Sequence, residues 1–127
     1  MFDKINIDKE VEVFFLIHSD ILRGHLDTII LKLIIEKDRY GYEIANCIKK
    51  RTKDAFMIKE ATLYSVVNRL ENKGLIESYH GEQSHGKKRR YYRITSLGNA
   101  YFKQKTDEWR EFKDILDTLL EEYHEAN

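Results

Sequence analysis

No proline interrupts this chain of 127 residues, and only six glycines do. In a helix interior proline costs about 3 kcal/mol and glycine about 1 kcal/mol relative to alanine. A chain with so few breakers is constrained to be mainly helical, with its breaks at glycines and polar clusters.

From Ile21 to about Lys37, Leu22, Leu26, Ile29, Ile30 and Leu33 hold a helical period, while Leu31, Ile34 and Ile35 widen the apolar surface beyond one stripe. Such a helix needs cover on more than one side. Tyr40-Gly41-Tyr42 marks a turn into a short second helix, with Ile44, Ala45 and Ile48 inside and Lys49, Lys50, Arg51 and Lys53 at its end. Positive charge there suits the helix C-terminus. A third helix is predicted from about Glu60 to Lys73. Leu63, Val66, Val67 and Leu70 make its buried stripe, Gly74 is placed as the C′ cap, and Thr62, Ser65, Asn68, Arg69 and Asn72 offer a polar face.

Residues 75–80 and 89–95 read as the two strands of a hairpin, since Arg90, Tyr92 and Ile94 alternate with Tyr91, Arg93 and Thr95. The stretch from Gly81 to Lys88 between them is polar and too long for a two-residue turn, so a mobile tip is expected. From Ser96 the pattern is helical again, and Trp109, Phe112, Leu116, Leu119 and Tyr123 form a heptad-like seam. Three helices, a hairpin and a long helix give a mainly α fold with a small β-hairpin. That is the order of a winged helix-turn-helix over 21–95, followed by a C-terminal dimerisation helix over 96–127. Residues 1–20, with the apolar run Val13 to Ile17, are an extension, either a helix or an arm packed on a partner.

A chain of this length bounds the fold to one domain. No apolar run approaches the roughly 20 residues of a membrane span, and the first residues, with Asp3 and Asp8, do not read as a secretory signal. A cytoplasmic location with no membrane partner is expected. Cys47 stands alone and reads as a packing residue. The net charge of zero hides segregation: residues 40–93 carry 12 basic and 6 acidic groups, whereas residues 107–127 carry 2 and 8. A basic middle suits a polyanion, and an acidic tail suits solvent or a partner protein.

A polar helix face of this kind can lie in the major groove of double-stranded DNA, although an ordinary amphipathic helix has the same shape. The hairpin adds the discriminating feature. Lys87, Lys88, Arg89, Arg90 and Arg93 gather around its tip, where a core has no use for cations and a phosphate backbone does. Thr62, Tyr64, Ser65, Asn68 and Arg69, with Lys87, Lys88, Arg89 and Arg90, are therefore the candidate DNA contacts. The competing reading is a winged-helix module that binds protein without reading DNA. An enzyme is not indicated: the five histidines are scattered, His80 and His85 lack a metal-site partner set, and neither a phosphate-cradling glycine loop nor a nucleophile elbow occurs. No metal and no cofactor are expected.

Several blocks then carry a resemblance. Leu22-Arg23-Gly24-His25-Leu26-Asp27, Tyr40-Gly41-Tyr42-Glu43-Ile44, Ala61-Thr62-Leu63-Tyr64, Asn68 to Ile76, Arg89 to Thr95 and Leu97-Gly98 occur in order. Over about 21–120 the chain resembles the PadR family of bacterial transcriptional regulators. The resemblance implies a homodimer joined through the C-terminal helix, here Trp109, Phe112, Leu116, Leu119 and Tyr123, that acts as a repressor on a palindromic operator. The short C-terminal region is similar to the small subgroup with multidrug-sensing members, in which a tryptophan on the last helix lines a cavity at the dimer interface. Trp109 stands at the matching place, with Thr28, Lys32, Lys105 and Lys113 as candidate neighbours for a small planar ligand. Those lysines depart from an apolar drug site and favour an anionic ligand, while the plainer role for Trp109 is to fill the dimer core.

Overall fold

The computed structural model describes residues 21–84 and 87–125, with side chains at 21–81 and 88–121. The expected N-terminal extension and the hairpin tip at His85 and Gly86 lie outside the described residues. Helix α1 spans Leu26–Glu36, strand β1 Arg39–Tyr40, α2 Gly41–Arg51, α3 Glu60–Asn72, β2 Ile76–Ser84, β3 Lys87–Ile94 and α4 Ser96–Glu125.

Helix α1 is the hub of the core. Leu26, Ile30, Leu31, Leu33 and Ile34 are all buried, which is the broad apolar surface expected, and the helix packs against α2, α3, β3 and α4. Its start differs from the sequence reading. Residues 21–23 form a separate helical turn, and a break at Gly24 and His25 precedes α1. The His25 amide donates to the Leu22 carbonyl at 2.9 Å, closing that turn. Around α1, Ile44 and Ile48 of α2, Leu63, Val66, Val67 and Leu70 of α3, and Leu75, Ile76 and Tyr92 of the wing complete one cluster.

The end of α3 follows its sequence signal closely. Gly74 has φ of 76°, the left-handed region that a β-carbon disfavours. The Leu75 amide donates back to Leu70 at 3.0 Å and the Gly74 amide to Glu71 at 2.9 Å, the paired bonds of a Schellman stop. The chain then turns directly into β2.

The sheet has three strands in the order β1-β3-β2, all antiparallel. Tyr40, read from sequence as part of a turn, instead pairs with Tyr91 as Arg39 pairs with Tyr92. The hairpin strands are also longer than expected, reaching Ser84 and Lys87 across a register shift between His80 and Gln83. The extra pairing involves polar residues, which carry no hydrophobic alternation to mark a strand.

Arg39 is 8% exposed yet fully engaged. Its guanidinium donates to the Leu33 carbonyl at 2.8 Å, to Cys47 Sγ at 3.1 Å and to Glu36 Oε1 at 3.1 Å. Glu36 also accepts from Arg51 at 2.9 and 2.5 Å and pairs with Lys32 at 3.3 Å. The network ties α1, β1 and α2. Hydrogen bonding from Arg51 leads in lowering the Glu36 pKa from 4.5 to about 2, against partial burial, with Lys32 assisting. As pH falls from about 4.5 towards about 2, the unfolded chain takes up this proton before the folded one does, so stability drops across that window. Acid titration of unfolding should show Glu36→Gln flattening this fall. An identical acid limb in the variant would remove Glu36 from the explanation.

The start of α4 belongs to the core rather than to a separate appendage. Tyr101 and Phe102 pack on the central cluster, and a β-carbon at Gly98 would lie 2.0 Å from the Leu75 carbonyl oxygen and 2.7 Å from Ile94 Cδ1. Alanine at 98 gains about 1 kcal/mol of helix propensity, but forcing backbone apart costs about 1–3 kcal/mol or more. Gly98→Ala is therefore expected to destabilise by about 2 kcal/mol in urea unfolding, a net loss set by the overpacking range. A stabilised variant would show that the helix start can shift freely.

Candidate nucleic-acid interface

On α3 the buried row Leu63, Val66, Val67 and Leu70 leaves the opposite side in solvent. Ser65, Asn68 and Asn72 lie along the middle of that side and are exposed, with Tyr64 on one flank and Thr62 half-buried on the other. Tyr64 sets its ring against Gly41 at the start of α2. Arg69 is not extended from this face. Its guanidinium is paired with Asp27 of α1, a partner 42 residues earlier that no local pattern announces.

The wing divides its side chains by strand alternation. On one face of β3, Tyr92 enters the core and Arg90 pairs with Glu71 of α3 at 2.9 Å. Glu71 also accepts from the Ser78 hydroxyl, so it clips the wing to α3. On the other face, Arg89 lies 4.4 Å from the Tyr40 ring centroid and Arg93 lies 5.1 Å from that of Tyr79, within cation–π range. Tyr79 stacks on Tyr91 at 5.7 Å, and Tyr91 meets Tyr40 edge-on at 5.5 Å. The Tyr79 hydroxyl donates to Asp38 at 2.5 Å, and this bond leads in raising its pKa. The phenol therefore stays neutral. Arg93 completes the layer by pairing with Glu77 at 3.1 Å.

The predicted hairpin cations thus fall into two groups. Arg89, Arg90 and Arg93 are held by the protein's own rings and carboxylates, while Lys88 is exposed and takes part in no ion pair among the described residues. The Lys87 side chain, like that of His85, lies outside the described residues. His80 is exposed.

A second feature lies beside α3. A cleft of about 410 Å³ is lined by residues of the 23–28 turn, by Arg69, and by Tyr101, Lys105, Glu108, Trp109 and Phe112 of α4. It brings together Thr28, Lys105 and Trp109 of the predicted ligand set. It does not include the other two: Lys32 is turned to Glu36 at 3.3 Å and Lys113 to Asp117 at 2.8 Å, each one helical turn away on its own helix. Lys105 pairs with Glu108 at 3.3 Å, which leads in raising its pKa and keeps it charged.

Beyond the cleft, the second half of α4 carries an uncovered apolar row. Trp109, Phe112 and Leu116 are exposed and Leu119 is 69% exposed. Ile115 and Leu120, which the heptad reading missed, widen it. Their positions one residue off the seam were the available signal. The Tyr123 side chain lies outside the described residues. No helix among the described residues is long and apolar enough to cross a membrane.

Three packed helices, the third polar on its outer face, and a hairpin clipped to that helix define the winged-helix class. A family model described as the transcriptional regulator PadR-like family matches residues 30–104. An uncharacterised protein from Lysinibacillus sphaericus is 59% identical over 106 residues, covering 84% of this chain and 97% of that one. A solved transcriptional regulator from Clostridium thermocellum is 50% identical, with a TM-score of 0.72 over 79% of this chain and 94% of its own. A PadR family transcriptional regulator from Eggerthella lenta is 27% identical with a TM-score of 0.76, covering 92% and 97%. The chain belongs to the PadR-like family of transcriptional regulators, which are DNA-binding proteins and not enzymes.

Proposed function

We propose that this protein is a homodimeric repressor that reads a palindromic operator and works in the cytoplasm. The observation that carries the reading is the exposed polar face of α3 beside a cation-bearing wing. In this arrangement Ser65 and Asn68 meet base edges, and Thr62, Tyr64 and Arg69 reach bases or adjoining phosphates from the flanks. Lys87, Lys88, Arg89 and Arg90 hold backbone or minor groove. Cation–π contact keeps Arg89 oriented before DNA arrives, which lowers the ordering cost of binding.

The apolar row on α4 supports dimerisation, because a contiguous apolar stripe rimmed by charge is a protein-binding surface. A two-fold axis would repeat Trp109, Phe112, Leu116, Leu119 and Tyr123 from both chains in one isologous contact. The cleft beside Trp109 has the size of a small-molecule site. Its indole and the Tyr101 ring suit a planar ligand, and the Lys105 cation suits an anionic one. A ligand there would relieve repression by changing how α3 is presented.

Phosphate contact by the wing is tested by salt dependence. Lys88→Ala is expected to weaken binding to all duplexes and to flatten the slope of log affinity against log salt by about 0.9, the release expected for one phosphate contact. An unchanged slope would remove Lys88 from the interface. If neither wing nor α3 substitutions affect any duplex, the surface serves a protein partner instead.

A further inference from the structure

Arg69 stands one turn beyond Ser65 on the outer side of α3, a position from which an arginine can reach a phosphate or a guanine edge. Yet its guanidinium is taken by Asp27 of α1. The pair is open to solvent, with the Arg69 side chain 47% exposed and Asp27 22%. Ion pairs exposed to this degree are weakly held, since water and salt screen them. A DNA phosphate offers the same guanidinium a stronger, bidentate acceptor within a concentrated negative field.

We infer that Asp27 competes with DNA for Arg69: it holds the guanidinium against α1 in the free protein and gives it up when α3 docks. Asp27 is then a positioning residue that sets affinity without touching DNA. It lowers non-cognate binding, because a duplex must dock α3 closely before Arg69 transfers. The pair also lines the cleft beneath Trp109, so any occupant of the cleft meets both partners.

The inference rests on α3 facing DNA, and a double-mutant cycle separates the two claims. Full-length wild type, Asp27→Asn, Arg69→Ala and the double variant are titrated with a selected operator duplex and with a random duplex. Asp27→Asn should tighten binding by up to about fivefold, the range that exposed ion pairs span, and random duplex should gain at least as much as operator. In the Arg69→Ala background that gain should vanish. A gain that persists without Arg69 reports only lost repulsion between Asp27 and DNA and overturns the inference, as does a folded Asp27→Asn protein that binds no tighter. Wild-type protein provides a reading that needs no variant: the Arg69 Nε–H resonance should move on adding operator, and a stationary signal would mean that the pair survives docking. Asn68→Ala is run in parallel. Loss there with no Asp27 effect rejects the competition alone, whereas no loss at Asn68 rejects the docking of α3.

Discussion

Leu116→Glu is expected to turn the regulator into a monomer and to weaken operator binding by at least about a hundredfold, the lower end of what linking two binding modules contributes. Leu116 is exposed on α4 and absent from the central cluster, so the substitution leaves the winged helix folded. In a two-fold contact it buries two carboxylates against apolar partners, where neither has a cation to pair with. Half-sites would then be bound independently, without the effective concentration that a second docked helix provides. Sedimentation at micromolar concentration and operator titration measure the two consequences separately. A dimer that persists with unchanged affinity would place the interface elsewhere on the chain.

Leu70→Ala and Asn68→Ala, two residues apart on one helix, should fail in opposite ways. Leu70 is fully buried against the α1 hub, and truncating a leucine in such a site costs about 3–5 kcal/mol in lost transfer energy and residual cavity. For a domain whose whole stability is about 5–15 kcal/mol, that is a large share. Asn68 is exposed, so its truncation should change unfolding by less than about 0.5 kcal/mol. Its effect should appear instead on operator, as a loss of about 1–3 kcal/mol confined to duplexes with the cognate base. Urea unfolding and binding to operator and scrambled duplexes check the contrast. A large stability loss at Asn68, or none at Leu70, would mean that the inner and outer faces of α3 have been assigned the wrong way round.

Much of this architecture is legible in the chain because it depends on local signals. The wide apolar surface of α1 marks it as the hub, Gly74 marks the end of α3, and the alternation around Tyr92 marks β3. The apolar row on α4 is likewise written in its spacing. What the sequence conceals is set by contacts between distant segments. Arg39-Tyr40 becomes a strand only because β3 offers it an edge, and the break at Gly24 and His25 interrupts a periodicity that reads as continuous. The candidate site divides in the same manner. Ser65 and Asn68 are visible as a polar face, whereas the capture of Arg69 by Asp27 and of Arg90 by Glu71 needs the tertiary fold. Lys32 and Lys113 looked like cleft residues from their helix positions, but each finds a carboxylate one turn along its own helix first.

Selection of bound sequences from a pool of random duplexes tests sequence-specific reading by a symmetric dimer most directly. Full-length protein should enrich a palindrome whose half-sites are separated by about one helical turn, roughly 10 bp, or a multiple of it, and Leu116→Glu should lose the second half-site. No enrichment above the starting pool, or a single asymmetric motif bound equally by both proteins, would contradict it.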